Sequence, residues 1–133
     1  GSPRRYFAPL RGLNQISYVA LRSFMGFNPF IGTGNLSKIN PEKTSSEIEV
    51  GFILSRSFWK KGFAAEIGNT LIEYGFNDLS LSKIVGETNS KNLASRKTLE
   101  NIGLTFEKDE EKTGYRISRY TLGKKLWKQR LLH

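Results

Sequence analysis

The residues that most often build reactive centres are scarce here. The 133-residue chain has no cysteine, which excludes disulfides, a thiolate nucleophile and any cysteine-based metal site. Its one histidine is His133, the last residue. A histidine metal cluster and a Ser-His-Asp triad are excluded with it, and His133 reads as a frayed terminal residue. Long apolar runs are lacking too: nothing approaches the roughly 18 residues a membrane span needs. The start, Gly1-Ser2-Pro3, has neither Met nor an apolar signal region, so Gly1-Ser2 reads as a remnant of an expression vector and a cytoplasmic location is expected. Acidic residues are in deficit: 12 Asp and Glu face 21 Lys and Arg, a net charge of +9. Such a surface favours anionic partners. Nucleic acid, ribosomal surfaces and polyphosphate cofactors all qualify, and charge alone does not choose among them.

What is present is enough for a core. Hydrophobic residues make up 38% and include nine Phe, a composition of folded domains rather than disordered ones. The length suits one domain, with no internal repeat and no low-complexity segment. Residues 3–16 hold Pro3, Pro9, Gly12 and three Arg without a period, and read as a loosely ordered arm covering residues 1–16. Ser17 to Ser23 is β-rich and reads as a strand. Phe30 to Ile39 reads as its hairpin partner. Glu47 to Leu54 alternates cleanly: Ile48, Val50 and Phe52 on one side, Glu47, Glu49 and Gly51 on the other. Period two predicts a strand with one buried face.

A basic loop, Ser55 to Lys61, follows. Beyond Gly62 the apolar residues Ala64, Ile67, Leu71 and Ile72 recur at three and four, predicting an amphipathic helix to about Asn77. Leu81 to Thr88 reads as a strand. Lys91 to Asn101 reads as a second helix, with Ala94, Thr98, Leu99 and Ile102 inward. Asn89 or Ser90 can cap its start, and Gly103 fits its stop. Leu104 to Lys108 and Tyr115 to Leu122 predict a hairpin about Thr113-Gly114, and Lys124 to Leu132 a short basic helix. The order β-β-β-α-β-α-β-β gives an α+β class: a mostly antiparallel mixed sheet flanked by helices.

One segment suggests chemistry. Trp59-Lys60-Lys61-Gly62-Phe63-Ala64-Ala65-Glu66 joins a strand to a helix start, where backbone N–H groups and the macrodipole favour a phosphate. Gly62 lets the backbone approach a ligand, and Lys60, Lys61 and Arg56 add charge. A plain strand-to-helix connection explains the same residues equally well. The GKS or GKT pattern of a P-loop is absent, which disfavours nucleotide triphosphate hydrolysis.

The segment resembles the acetyl-CoA signature of the GNAT superfamily, Q/R-x-x-G-x-G/A. Its ribosomal-protein N-terminal acetyltransferase branch often reads W-G-K-G-Y-A-T-E, and here the stretch is W-K-K-G-F-A-A-E. Upstream, that branch's E-I-G-Y appears as Glu49-Val50-Gly51-Phe52. Downstream, N-x-x-N-x-A-S-x-x-x-L-E-x-x-G-F appears as Asn89, Asn92, Ala94, Ser95, Leu99, Glu100 and Gly103, with Leu104 in place of Phe. The resemblance covers roughly Ser17 to Leu126.

The resemblance implies an acetyl-CoA-dependent N-acetyltransferase acting on a primary amine. In it the pantetheine arm pairs with the strand of Gly51, Phe52, Ile53 and Leu54, beside Trp59 and Lys60. The pyrophosphate sits on the amides of Lys61, Gly62, Phe63, Ala64 and Ala65. Asn89 and Asn92 flank the cofactor arm, Ser95 lies near the sulfur, and Arg96 or Lys97 reaches the 3′-phosphate. Glu49 is the candidate base and Ser95 the candidate partner of the leaving sulfur. Glu47 shares the face of Glu49, so the choice between them rests on the resemblance. Bland alternatives stand beside each: an exposed strand carboxylate, and a helix serine bonded to its own backbone. Tyr115 and Tyr120 offer an acid, although strand aromatics are more often core.

The family begins with a strand and two helices ahead of the Ser17 hairpin, so residues 17–133 resemble a GNAT domain that is incomplete at its N-terminus. Uncovered apolar surface predicts self-association, a homo-oligomer. Three functions fit: an active N-acetyltransferase; a weak or inactive acetyl-CoA-binding protein that works by interaction; and a basic RNA- or ribosome-binding module using Lys124, Lys125, Lys128 and Arg130. The last lacks any RNP or helix-turn-helix signature.

Overall fold

The alternating stretch Ile48–Leu54 (β4) lies at the middle of a seven-stranded sheet. The computed structural model describes residues 5–11, 15–22, 30–40, 42–43, 46–54 and 62–132. Around β4 are β1 (Arg5–Arg11), β2 (Gln15–Arg22), β3 (Phe30–Lys38), β5 (Lys83–Asn89), β6 (Thr105–Lys112) and β7 (Tyr115–Gly123). Three helices join them: α1 (Phe63–Asn77), α2 (Leu93–Asn101) and α3 (Lys124–Leu131). The strand order is β1-β2-β3-β4-β5-β7-β6. Every neighbouring pair is antiparallel except β4 and β5. The α+β class with a mixed, mostly antiparallel sheet is therefore as expected.

The first strand corrects the sequence reading. Residues 3–16 were expected to form a loosely ordered arm, but Arg5–Arg11 pairs antiparallel with β2 along its whole length. It is the edge of the sheet, a position where a strand tolerates a residue such as Pro9 without a ladder N–H. The basic loop Ser55 to Lys61 lies outside the described residues.

Partners across a ladder share a face of the sheet. One face carries Leu36, Val50, Ile84, Tyr120 and Leu122, which form the core with Phe63, Ile67, Leu71, Ile72 and Phe76 of α1 and Leu99 of α2. Close packing of helix on strand depends on missing side chains. A Cβ on Gly86 would stand 2.6 Å from Leu99 Cδ2, and one on Gly68 2.9 Å from Ile102. Trp127 of α3 stacks on Phe76 at 5.1 Å between ring centres, so α3 joins the same side.

The end of α2 is built as the sequence suggests. Gly103 has φ +102, a conformation that L side chains avoid. Leu104 N–H then donates to Leu99 O at 3.0 Å and Gly103 N–H to Glu100 O at 3.0 Å. These are the two bonds of a Schellman stop, with Leu99 and Leu104 both buried against each other's turn. The start differs from expectation: neither Asn89 nor Ser90 caps it. Asn92 does, its Oδ1 accepting from Ser95 N–H at 3.1 Å. Asn89 is still part of β5, paired with Ile117. Ala94, expected inward, is exposed. No helix among the described residues is long and apolar enough to cross a membrane.

Candidate active site

Parallel neighbours put their C-terminal ends on the same side of a sheet. Here β4 leads into α1 and β5 into α2, so both helix starts stand at one end, on either side of the β4–β5 boundary. The two strands register at a single pair, Glu49 and Val85. From Val50 to Leu54 the β4 edge has no β5 partner among the described residues, although its other edge is laddered to β3 as far as Leu54. The sheet is split at that end, and an open sheet binds ligands at such splits, beyond the carboxyl ends of its strands.

The split fits an extended, amide-bearing ligand with a phosphate end. An unpaired strand edge offers backbone groups to amides. Gly62, in the left-handed region at φ +81, opens α1, and no side chain caps that start. A Cβ there would meet nothing within 4 Å among the described residues. Phe63 supplies its side chain to the core, 3% exposed, which anchors the turn while Ala64 and Ala65 keep it small. On the opposite wall, α2 opens with exposed Leu93 and Ala94. Asn92 spends one oxygen on the cap and Ser95 lies one turn in. Trp59, Lys60 and Lys61 lie outside the described residues, as do the side chains of Ile53 and Leu54; Phe52 is half-buried beside the core.

Arg96 is placed otherwise than the resemblance implies. Its Nε donates to Tyr120 Oη at 2.9 Å, its Nη1 to Ser90 O at 3.1 Å, and its guanidinium stacks on Phe106 at 5.6 Å. These contacts point it into the fold, while Lys97 is exposed. Tyr120 itself is fully buried, a core residue holding Arg96. Tyr115 is 62% exposed.

The opposite face of the sheet, away from the helices, carries charge. Glu49 lies half-buried beside fully buried Val85. Burial pushes the Glu49 carboxyl up to about 7, helped by the charge and hydrogen bond of neighbouring Glu87 and opposed by Lys112. Glu47, two residues earlier on the same face, behaves in the opposite way. Its hydrogen bond to Arg119 lowers its pKa, and Lys83 adds an ion pair at 3.3 Å. Arg119 also donates to Glu107 at 2.8 Å. Of the two carboxyls the sequence could not separate, Glu47 is held as an anion by cations and Glu49 is not.

Glu87 and Lys112 were not singled out in the sequence. Glu87 follows the short apolar run Ile84-Val85-Gly86 in a strand that also carries Lys83, Thr88 and Asn89, so its residue type alone did not mark it. Glu87 and Lys112 line a cleft of about 410 Å3 with Thr88, Asn89, Thr113, Tyr115 and Ile117, at the same end of β5 as the split. No group of three or more metal-binding side chains occurs among the described residues.

The family described as acetyltransferase (GNAT) domain matches residues 7–105. The chain belongs to the GNAT acetyltransferase family. Members use acetyl-CoA as cosubstrate. Among curated relatives of this GNAT chain, the FsC-acetyl coenzyme A-N(2)-transacetylase of Aspergillus fumigatus is 33% identical over 90 residues, covering 62% of this chain and 38% of that protein. The uncharacterized N-acetyltransferase p20 of Bacillus licheniformis is 38% identical over 79 residues, covering 59% of this chain and 42% of that protein. The chain thus spans well under half the length of both. A variant of spermidine N-acetyltransferase SpeG from Vibrio cholerae shares the fold at a TM-score of 0.74 and 20% identity, over 89% of this chain and 69% of that one. The aminoglycoside acetyltransferase AAC(6')-Ib, in complex with coenzyme A, shares it at 0.72 and 16% identity, over 87% and 70%.

Proposed function

We propose that this GNAT chain is an N-acetyltransferase that moves an acetyl group from acetyl-CoA to a primary amine, with Glu49 as the base. The observation that carries this is the placement of Glu49: half-buried, raised to about 7, at the last register point before the sheet splits. A base is most effective when its pKa lies near the working pH. Acetyl-CoA supplies the activated thioester carbonyl. The β4 edge from Gly51 to Leu54 aligns it and directs backbone N–H toward the oxygen that becomes negative. The turn of Gly62, Ala64 and Ala65 holds the pyrophosphate. Asn92 steadies the arm from α2. Glu49 takes the proton of the incoming ammonium, freeing the nitrogen lone pair to attack. Ser95 donates a hydrogen bond toward the departing sulfur.

The acceptor is a primary amine, on a protein N-terminus or a small molecule. The structural neighbours support an amine: one is a spermidine N-acetyltransferase and another an aminoglycoside acetyltransferase. Lys97 replaces Arg96 as the candidate for the 3′-phosphate, because Arg96 is engaged within the fold.

Thermal stabilisation by acetyl-CoA is the direct test. A ligand at about 100 times its Kd stabilises by about 2.7 kcal/mol, a rise of several degrees. Gly62→Glu puts a side chain and a negative charge into the turn and abolishes the rise. No shift in the parent protein overturns cofactor binding. A shift without thiol release on spermidine, an aminoglycoside or a peptide N-terminus points instead to a binding protein.

A further inference from the structure

Glu49 has a neighbour that the reaction above does not use. Because Glu49 stands opposite Val85, Glu87, two residues further along β5, is on the same face and diagonal to it, within reach of long side chains. Glu87 is only 12% exposed and its two oxygens are both taken by one cation: Lys112 Nζ lies 3.1 Å from Oε1 and 2.8 Å from Oε2. Lys112 comes from the tip of the β6–β7 hairpin, and Glu110 is 3.5 Å from the same ammonium.

We propose that Glu87 and Lys112 form a positioning pair for Glu49, in which Glu87 receives the Glu49 carboxyl and Lys112 fixes which of the two carboxyls carries their shared proton. The inference rests on the reading of Glu49 as base. Two adjacent carboxyls do not both ionise freely. The ammonium sits on Glu87, so the proton belongs to Glu49, where the hydrogen bond to Glu87 aims it. Loss of that proton leaves Glu49 ready to receive one from an ammonium. One proton moves, from the amine nitrogen to a Glu49 oxygen, and no bond to Glu87 is made or broken.

The other charged groups facing Glu49 are otherwise engaged. On β4, Glu47 is bound to Arg119 of β7 and Lys83 of β5. On β6, Glu107 is bound to Arg119 and Glu110 to Lys112 and Lys108. Among the described residues, Glu87 and Lys112 are the charged groups that act on Glu49.

The test reads Glu49 directly. The full chain is labelled with 13C at the glutamate side-chain carboxyl and titrated from acid to alkaline pH. The Glu49 signal is identified by its loss in Glu49→Gln. The parent midpoint is expected near neutrality. Glu87→Gln, an isosteric change, removes the neighbouring charge and lowers the midpoint. Lys112→Met removes the opposing charge and raises it, and Lys112→Arg restores it. The acid limb of kcat/KM, measured with acetyl-CoA and spermidine, moves in the same two directions. Midpoints unmoved in both variants overturn the pair and leave the base standing. Undiminished turnover in Glu49→Gln overturns the base and leaves the carboxyl coupling to be judged by the titration alone.

Discussion

At the scale of the residue, Glu49 works against the fold it belongs to. A carboxyl whose pKa rises on folding binds its proton more tightly in the native state than in the unfolded chain. Stability then falls as pH rises between the two values, here from 4.5 toward about 7. Above that window the native state carries a half-buried charge beside a second carboxylate. Glu49→Gln keeps the shape and can donate its amide N–H to Glu87. It is expected to melt above the parent protein at pH 8, by on the order of 1 kcal/mol, and to show no such gain at pH 4. The same change is expected to lower turnover by about 100-fold or more. Melting curves at the two pH values check the first half; an equal gap at both means that titration of Glu49 is not the cause. Glu47 has the opposite sign. Its lowered pKa gives stability that is present above about 4.5 and lost as pH falls through the lowered value. Sequence could not tell these two carboxylates apart, because both alternate onto one strand face. Arg119, 72 residues away in the chain, holds Glu47 as an anion, while burial and Glu87 raise Glu49. Glu87 was hidden for the same reason: its meaning depends on the β4–β5 register.

At the scale of the element, the site depends on how closely α2 lies on β5. Gly86 precedes Glu87 and faces the other way, under Leu99 and Leu104. A Cβ at Gly86 would stand 2.6 Å from Leu99 Cδ2 and 3.0 Å from Leu104 Cδ2, and both leucines are buried. Neither can swing into solvent, so the methyl is taken up by the leucines turning within the core or by a shift of α2. Gly86→Ala is expected to cost about 1–3 kcal/mol, the range for overpacking a core. It is also expected to weaken acetyl-CoA binding, since Asn92 and Ser95 ride on α2. Denaturant unfolding and a cofactor titration measure the two effects; full stability in Gly86→Ala shows that the core absorbs the methyl. The helices and β4 were legible because one apolar face repeats at its proper period and Gly103 marks a stop. β1 was not, because Pro9 and the arginines carry no period and the strand exists through its ladder to β2. The cap was expected at Asn89 or Ser90 because both residue types qualify there. Continuation of the β5–β7 ladder to Asn89 decides for Asn92.

At the scale of the whole molecule, topology and charge act on one ligand. Among the described residues, a single parallel pair in an otherwise antiparallel sheet brings two helix starts to one end and leaves a strand edge open between them. The three sequence motifs are far apart in the chain, and this crossover explains their common end. Their spacing was readable; the split was not, because it arises from a ladder that stops after one register pair. Acetyl-CoA is polyanionic, and the chain carries a net +9. Attraction of that kind acts over a Debye length, about 10 Å at 0.1 M salt and about 3 Å at 1 M. In the proposed mode the hydrogen bonds at the backbone turn of Gly62 are short and salt screens them little, whereas exposed lysines such as Lys97 act at longer range. Affinity for acetyl-CoA is therefore expected to fall by about 3- to 10-fold between 50 and 500 mM NaCl, with Lys97→Gln flattening the slope. Isothermal titration at several salt concentrations tests this. An affinity independent of salt would mean that the backbone turn and the β4 edge hold the cosubstrate without help from the positive surface.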